Sequence, residues 1–199
     1  ETANKYGFSA RVDNYTIPGL RIGLSGYFGQ SMHNSVPHDM EKGNNKKLKG
    51  NIFLGALDFT YKAHNWMARG NVDYGYVSDA AAISKLVKPG VQYVKPYEAF
   101  GSHAIATMFE VGYDVFSQIE KLRADNQKLY VFGHYEYYDS YLNNTTKQYT
   151  KRQIFAGGIN YYPIKQICVK AEYNLRKFRS QYNDEPALNI GVAYQGFFL

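Results

Sequence analysis

The sequence predicts an all-β chain, an antiparallel up-and-down transmembrane β-barrel of about nine strands, and three observations carry that expectation. Apolar and polar residues alternate with period two along most of the 199 residues, which is the strand signal. Aromatic residues make up 17% of the chain, with 20 Tyr and 12 Phe, as half-buried strand faces favour. The connections alternate between short turns and long loops, which is the pattern of a meander closed by consecutive hairpins.

Each strand follows from its own run of residues. Weaker alternation covers 6–15, 20–29 and 51–62. At 66–76, Trp66, Ala68, Gly70, Val72, Tyr74 and Tyr76 oppose Arg69, Asn71 and Asp73. At 105–115, Ile105, Thr107, Phe109, Val111, Tyr113 and Val115 oppose Glu110 and Asp114. Further strands are expected at 129–138 and 152–162. The clearest is 167–176, where Ile167, Val169, Ala171, Tyr173 and Leu175 face away from Cys168, Lys170, Glu172, Asn174 and Arg176. The last, at 188–194, sets Leu188, Ile190, Val192 and Tyr194 against Asn189 and Gln195. No helix is expected. Short turns fall at 16–19, 64–65, 123–127 and 163–166, and long loops at roughly 30–50, 78–103, 139–151 and 177–187.

A soluble sandwich also alternates, so the chemistry of the two faces decides. Full charges of both signs stand mid-strand on one face, while Tyr, Phe and Trp gather toward strand ends on the other. A wet lumen and lipid-facing aromatic girdles have that pattern, and about ten residues per strand span a bilayer at a tilt. Trp66, Tyr113, Tyr173 and Tyr194 read as interface anchors. With 20% charged residues and a mean hydropathy of −0.46, the chain has neither the composition of a disordered segment nor an apolar run long enough for a membrane helix.

The inward face holds the candidate pore-lining residues: Arg11, Asp13, Arg21, Asp58, Lys62, Arg69, Asp73, Glu110, Asp114, His134, Glu136, Arg152, Lys170, Glu172 and Arg176. Its cations and anions balance, which favours a cross-strand ion-pair lattice over strong selectivity. The excess behind the net charge of +6 sits at the mouths, chiefly Lys42, Lys46, Lys47 and Lys49, an extracellular basic rim able to draw anions or to contact lipopolysaccharide phosphates. Nucleic acid is not an expected partner, because no basic stripe is interleaved with stacking aromatics. His134 beside Glu136 invites a general-base reading but has no Ser or Cys in its own strand. His33, His38 and Asp39 match no metal-ligand spacing, so no metal and no cofactor are expected. Cys168, the lone cysteine, reads as a free inward residue. Gly23, Gly26, Gly29, Gly157 and Gly158 read as relief of crowding where strands curve.

Several segments resemble the outer-membrane porins of Bacteroidetes-type bacteria, related to the phosphate-selective porin O/P family. These are Ile17 to Gly23, Leu129 to Tyr138, Gly157 to Phe178 and the terminal Asn189 to Leu199. One departure is that Leu199 stands last, where such barrels end in an aromatic. The resemblance implies a bacterial outer-membrane location, passive diffusion of small polar solutes or ions, and a homotrimer or larger outer-membrane complex; the basic rim adds a mild anion preference, and no enzymatic activity is expected. Alternatives are a narrow, filled barrel serving as anchor or scaffold for a partner, and a barrel enzyme. Bacterial single-chain barrels have even strand numbers, so nine strands imply one domain over 1–199 that is the C-terminal half of a larger barrel. At about 22 residues per strand, the 16–18 strands of an open channel need roughly 350–400 residues.

Overall fold

The computed structural model describes residues 6–30, 47–84, 101–142, 150–178 and 183–195. They form one nine-stranded antiparallel sheet in which every strand pairs with its neighbours in sequence. The strands are β1 (Phe8–Asn14), β2 (Leu20–Gln30), β3 (Asn51–Ala63), β4 (Trp66–Val77), β5 (His103–Asp114), β6 (Lys128–Asp139), β7 (Lys151–Ile164), β8 (Ile167–Lys177) and β9 (Glu185–Tyr194). All nine expected strands are present, within a few residues of their expected ends. Among the described residues β1 pairs only with β2 and β9 only with β8, so no pairing closes the sheet between them.

The turns follow from their residues. Ile17-Pro18-Gly19-Leu20 closes β1 onto β2 with the Leu20 N–H donating to the Ile17 carbonyl at 3.0 Å, and Gly19 has φ of 80°. Proline then glycine at the two central positions is the type II preference. A Cβ on Gly19 would also press on Ala63 and the Lys62 carbonyl. Gly19→Ala is therefore expected to cost about 1–2 kcal/mol, read as a lowered urea midpoint in micelles. His64 and Asn65, with φ of 52° and 65°, form the two-residue turn between β3 and β4, the mirror-image geometry whose twist suits a hairpin.

The expectation of no helix is corrected. Val115–Gln118 is a 3-10 turn, Glu120–Ala124 a single helical turn, and Ala80–Ser84 another. Strong helix formers occupy 120–124, and five residues are too few to show a period. Among the described residues no helix is long and apolar enough to cross a membrane.

Register gathers the charged side chains of the strands mainly on one face and most large apolar ones on the other. One face carries rows such as Val12–Leu24–Leu57–Val72–Thr107 and Ile22–Phe59–Gly70–Phe109–Tyr135–Phe155–Leu175. The other carries Asp13–Gly23–Asp58–Asn71–Met108–Glu136–Ile154–Arg176 and Arg21–Thr60–Arg69–Glu110–His134–Ala156–Asn174. The apolar face is bare: Leu24 is 62% exposed, Phe109 48% and Phe155 45%. Among the described residues the only buried apolar side chains are Ala80, Tyr130 and Cys168. A sheet of this size that stayed in water would leave one continuous apolar patch far beyond what soluble monomers expose.

The rows also run obliquely to the strands. The row that starts at Leu20, first in β2, passes through Tyr61, Ala68, Val111, Gly133, Gly157 and Tyr173 to Leu188, near the opposite end of β9. That stagger is the shear a sheet needs if it is to close with tilted strands.

Candidate functional site: the charged face of the sheet

All fifteen inward residues named from the sequence that lie on strands share the polar face, and the register decides which of them meet. Arg11, Asp13, Arg21 and Asp58 form a closed four-charge group across β1, β2 and β3. Arg11 donates through Nε and Nη2 to the two Asp13 oxygens at 2.9 and 2.8 Å, and its Nη1 lies 2.9 Å from Asp58 Oδ2. Arg21 donates to Asp13 Oδ1 at 2.9 Å, to Asp58 Oδ1 at 2.6 Å and to Thr60 Oγ1 at 3.3 Å. Guanidinium geometry suits such forked contacts. The group can form because Gly23 lies beneath it; a Cβ there would run into the Arg11 guanidinium and Asp13 Oδ1. Relief of crowding is thus the part Gly23 plays, with an ion-pair group as the neighbour relieved.

A second chain of contacts crosses β4, β5 and β6. Arg69 clamps Glu110 through Nε at 2.8 Å and Nη2 at 3.0 Å. The Glu110 residue is only 8% exposed, so the clamp compensates a charge held away from water. His134 continues the chain, with Nδ1 3.3 Å from Glu110 Oε2 and Nε2 2.8 Å from Glu136 Oε1. Both ring nitrogens thus face carboxylates, and both can donate only as imidazolium. As placed, neither addresses a hydroxyl or a thiol.

The remaining candidates are less connected. Asn71 donates to Asp73. Glu172 accepts from Asn174 at 3.2 Å, and Arg176 pairs with Glu185 at 3.1 Å. Arg152 lies over the Phe178 ring at 4.7 Å. Among the described residues, no carboxylate lies within ion-pair distance of Lys62 or Lys170. Asp114 is 4% exposed, and its Oδ1 accepts from the Phe116 and Leu129 N–H groups at 3.2 and 3.0 Å. It fastens the β5–β6 connection by capping the 3-10 turn. Asn71 and Asn174, already on the polar face by alternation, complete these contacts together with Thr60 and Glu185, which the sequence left unmarked. Thr60 shares the parity of Asp58 and Lys62, the signal by which it could have been found, whereas Glu185 lies before the expected start of the last strand and comes to this face as the partner of Arg176.

At the rim, Lys42 and Lys46 lie outside the described residues, as do His33, His38 and Asp39. Lys47 and Lys49 are exposed. The Lys49 N–H donates to Asp79 Oδ2 at 3.2 Å, joining the two long loops at the start of β3 and the end of β4. That N–H first, and the Ser78 hydroxyl second, hold the Asp79 carboxyl below the usual carboxylate range. The tie is complete above the ordinary aspartate pKa and weakens as pH falls through the depressed value. Among the described residues no group of three His, Cys, Asp or Glu is placed to hold a metal ion.

No protein-family model matches the chain. It is 26% identical over 188 residues to an uncharacterized protein of Aquifex aeolicus (strain VF5), a match covering 92% of this chain and 39% of that protein. The chain therefore spans well under half the length of that relative.

Proposed function

We propose that this chain is part of a transmembrane β-barrel in the bacterial outer membrane, and that its charged face lines a water-filled channel for passive diffusion of small polar solutes or ions. The observation that carries this reading is the sorting of faces over nine strands, with the ion pairs on one side and most of the bare Leu, Val, Ile and aromatic residues on the other. Lipid suits the second face and water the first. Aromatic pairs stand toward both ends of the apolar face. Trp66 and Tyr113 have ring centroids 4.8 Å apart at the short-turn end, and Tyr76 and His103 are 4.9 Å apart at the long-loop end. The oblique rows supply the shear of closure, and the open edges at β1 and β9 are where further strands of a longer chain would pair.

In this reading the wall is wet and stiff and carries little selectivity of its own, because β1 to β6 neutralise most of their charge internally. Outer-membrane lipid meets the apolar face, lipopolysaccharide and small anions meet the basic rim, and the resemblance to Bacteroidetes-type porins supports a homotrimer. The readings as a filled anchor or as an enzyme give way on two points: the charged rows, and a His134 whose nitrogens both face carboxylates.

Reconstitution of the full-length protein in planar bilayers tests the reading through ion conductance. A filled anchor would leave the bilayer silent. The basic rim makes a separate prediction: Lys46→Glu with Lys47→Glu shifts the reversal potential in a salt gradient toward cations. An unchanged potential would remove the rim from the account.

A further inference from the structure

On the polar face above the two charged rows, the wall changes character. The cross-strand rows Ser25–Ala56–Asp73–Ala106–Tyr138 and Tyr27–Leu54–Gly75–Ala104 set the small residues Ser25, Ala56, Gly75, Ala104 and Ala106 around Asp73 and Leu54, and the Leu54 side chain lies against Gly75. With no side chain longer than serine at five of these positions, the wall thins around Leu54 and Asp73, and an open depression of about 870 Å³ lies over β1 to β6. That volume suits a small organic solute. Its lining is mostly apolar although the rows beside it are among the most charged in the chain. Two tyrosines flank it. The Tyr27 ring is held over Gly7 and Gly29, where any Cβ would collide with it. Tyr138 stands across the floor, 38% exposed.

The charge around the cavity is one-sided. The cation that lines it, Arg11, is already committed to both Asp13 and Asp58. Asp73 accepts from Asn71, and among the described residues no cation pairs with it. Asp139 at the edge is 1% exposed and accepts from the Tyr141 N–H and the Thr150 hydroxyl, and among the described residues no cation pairs with it. An apolar floor, two aromatic flanks and an uncompensated carboxylate make a complementary surface for one chemical class.

We infer that this cavity is a binding subsite for small amphipathic cations, with the apolar body on the Ala/Gly/Ser floor between Tyr27 and Tyr138 and the ammonium against Asp73. Carboxylate pairing holds the charge, and the apolar floor takes the body of the solute out of water. The inference rests on the reading that this face is open to water.

The test uses full-length protein in detergent, with benzylamine as probe and benzyl alcohol and benzoate as controls, followed by saturation-transfer NMR titration at neutral pH. Benzylamine is expected to bind more tightly than either control. Asp73→Asn, nearly isosteric, weakens benzylamine by about tenfold and leaves benzyl alcohol unchanged. Ala106→Phe, which fills the floor, abolishes binding of both; should that variant fail to fold, the Asp73→Asn comparison still decides. The subsite is overturned by no benzylamine binding, by benzoate binding as well as benzylamine, or by Asp73→Asn leaving the affinity within about twofold. Because binding is read in detergent, a protein that conducts ions without binding benzylamine refutes the subsite alone, and one that binds it without conducting refutes the channel alone.

Discussion

Val72→Arg is expected to lower the stability of the folded protein in bilayers by about 2–4 kcal/mol, and Asn71→Arg, one residue away, by less than about 1 kcal/mol. Val72 stands mid-strand in β4 on the apolar face, 45% exposed, in a row of Val12, Leu24 and Leu57. A guanidinium there would face hydrocarbon at the greatest distance from either interface, where it is costliest. Asn71 points the other way, beside Asp73 and between Asp58 and Met108 in its row. An arginine at that position gains a carboxylate neighbour and keeps its contact with water. Urea titration in lipid vesicles reads both variants. Equal effects, or a larger one at Asn71, would mean that the faces are assigned the wrong way round.

Arg69→Met should be the most damaging single change within the charged rows. It strips both clamp contacts from Glu110, whose side chain is only 11% exposed, and leaves that carboxylate facing His134 alone. Removing one partner of a buried pair costs about 3–5 kcal/mol. Arg69 itself is 53% exposed, so water can replace part of the clamp and about 1–2 kcal/mol is the expected loss. Adding Glu110→Met to that variant should recover much of the loss, since no unpaired charge then remains. A double-mutant cycle by urea titration measures the difference, and strictly additive losses would show that the clamp is not a coupled unit.

Much of the fold was legible in the sequence because period-two alternation reports directly on which face a residue takes. Ile167 to Arg176 alternates without a break and is β8. Parity alone placed the charged residues together, since a one-residue slip would have moved all of them to the apolar side. What parity cannot give is register, which depends on pairing between distant segments. That Arg21 reaches Asp13 and Asp58, or that Arg69 takes Glu110, follows from the alignment of β2 with β3 and of β4 with β5. The cavity floor was hidden for the same reason: Ser25, Ala56 and Ala106 are unremarkable singly and become a surface only when aligned. Asp114 was misleading in a different way. Its alternation is that of an inward residue, yet its carboxylate is used by the Phe116 and Leu129 amides. The one-turn helices escaped because five residues carry no period.

The most direct test of the channel is thiol modification during single-channel recording of the full-length protein, in a Cys168→Ser background that removes the native thiol. Thr60→Cys sits on the charged face between Arg21 and Arg69, and Phe59→Cys on the apolar face next to it. A charged, membrane-impermeant methanethiosulfonate should change the conductance stepwise at Thr60→Cys and leave Phe59→Cys untouched. Modification without effect at Thr60→Cys, or an equal response at Phe59→Cys, would contradict a water-filled lumen lined by the charged face.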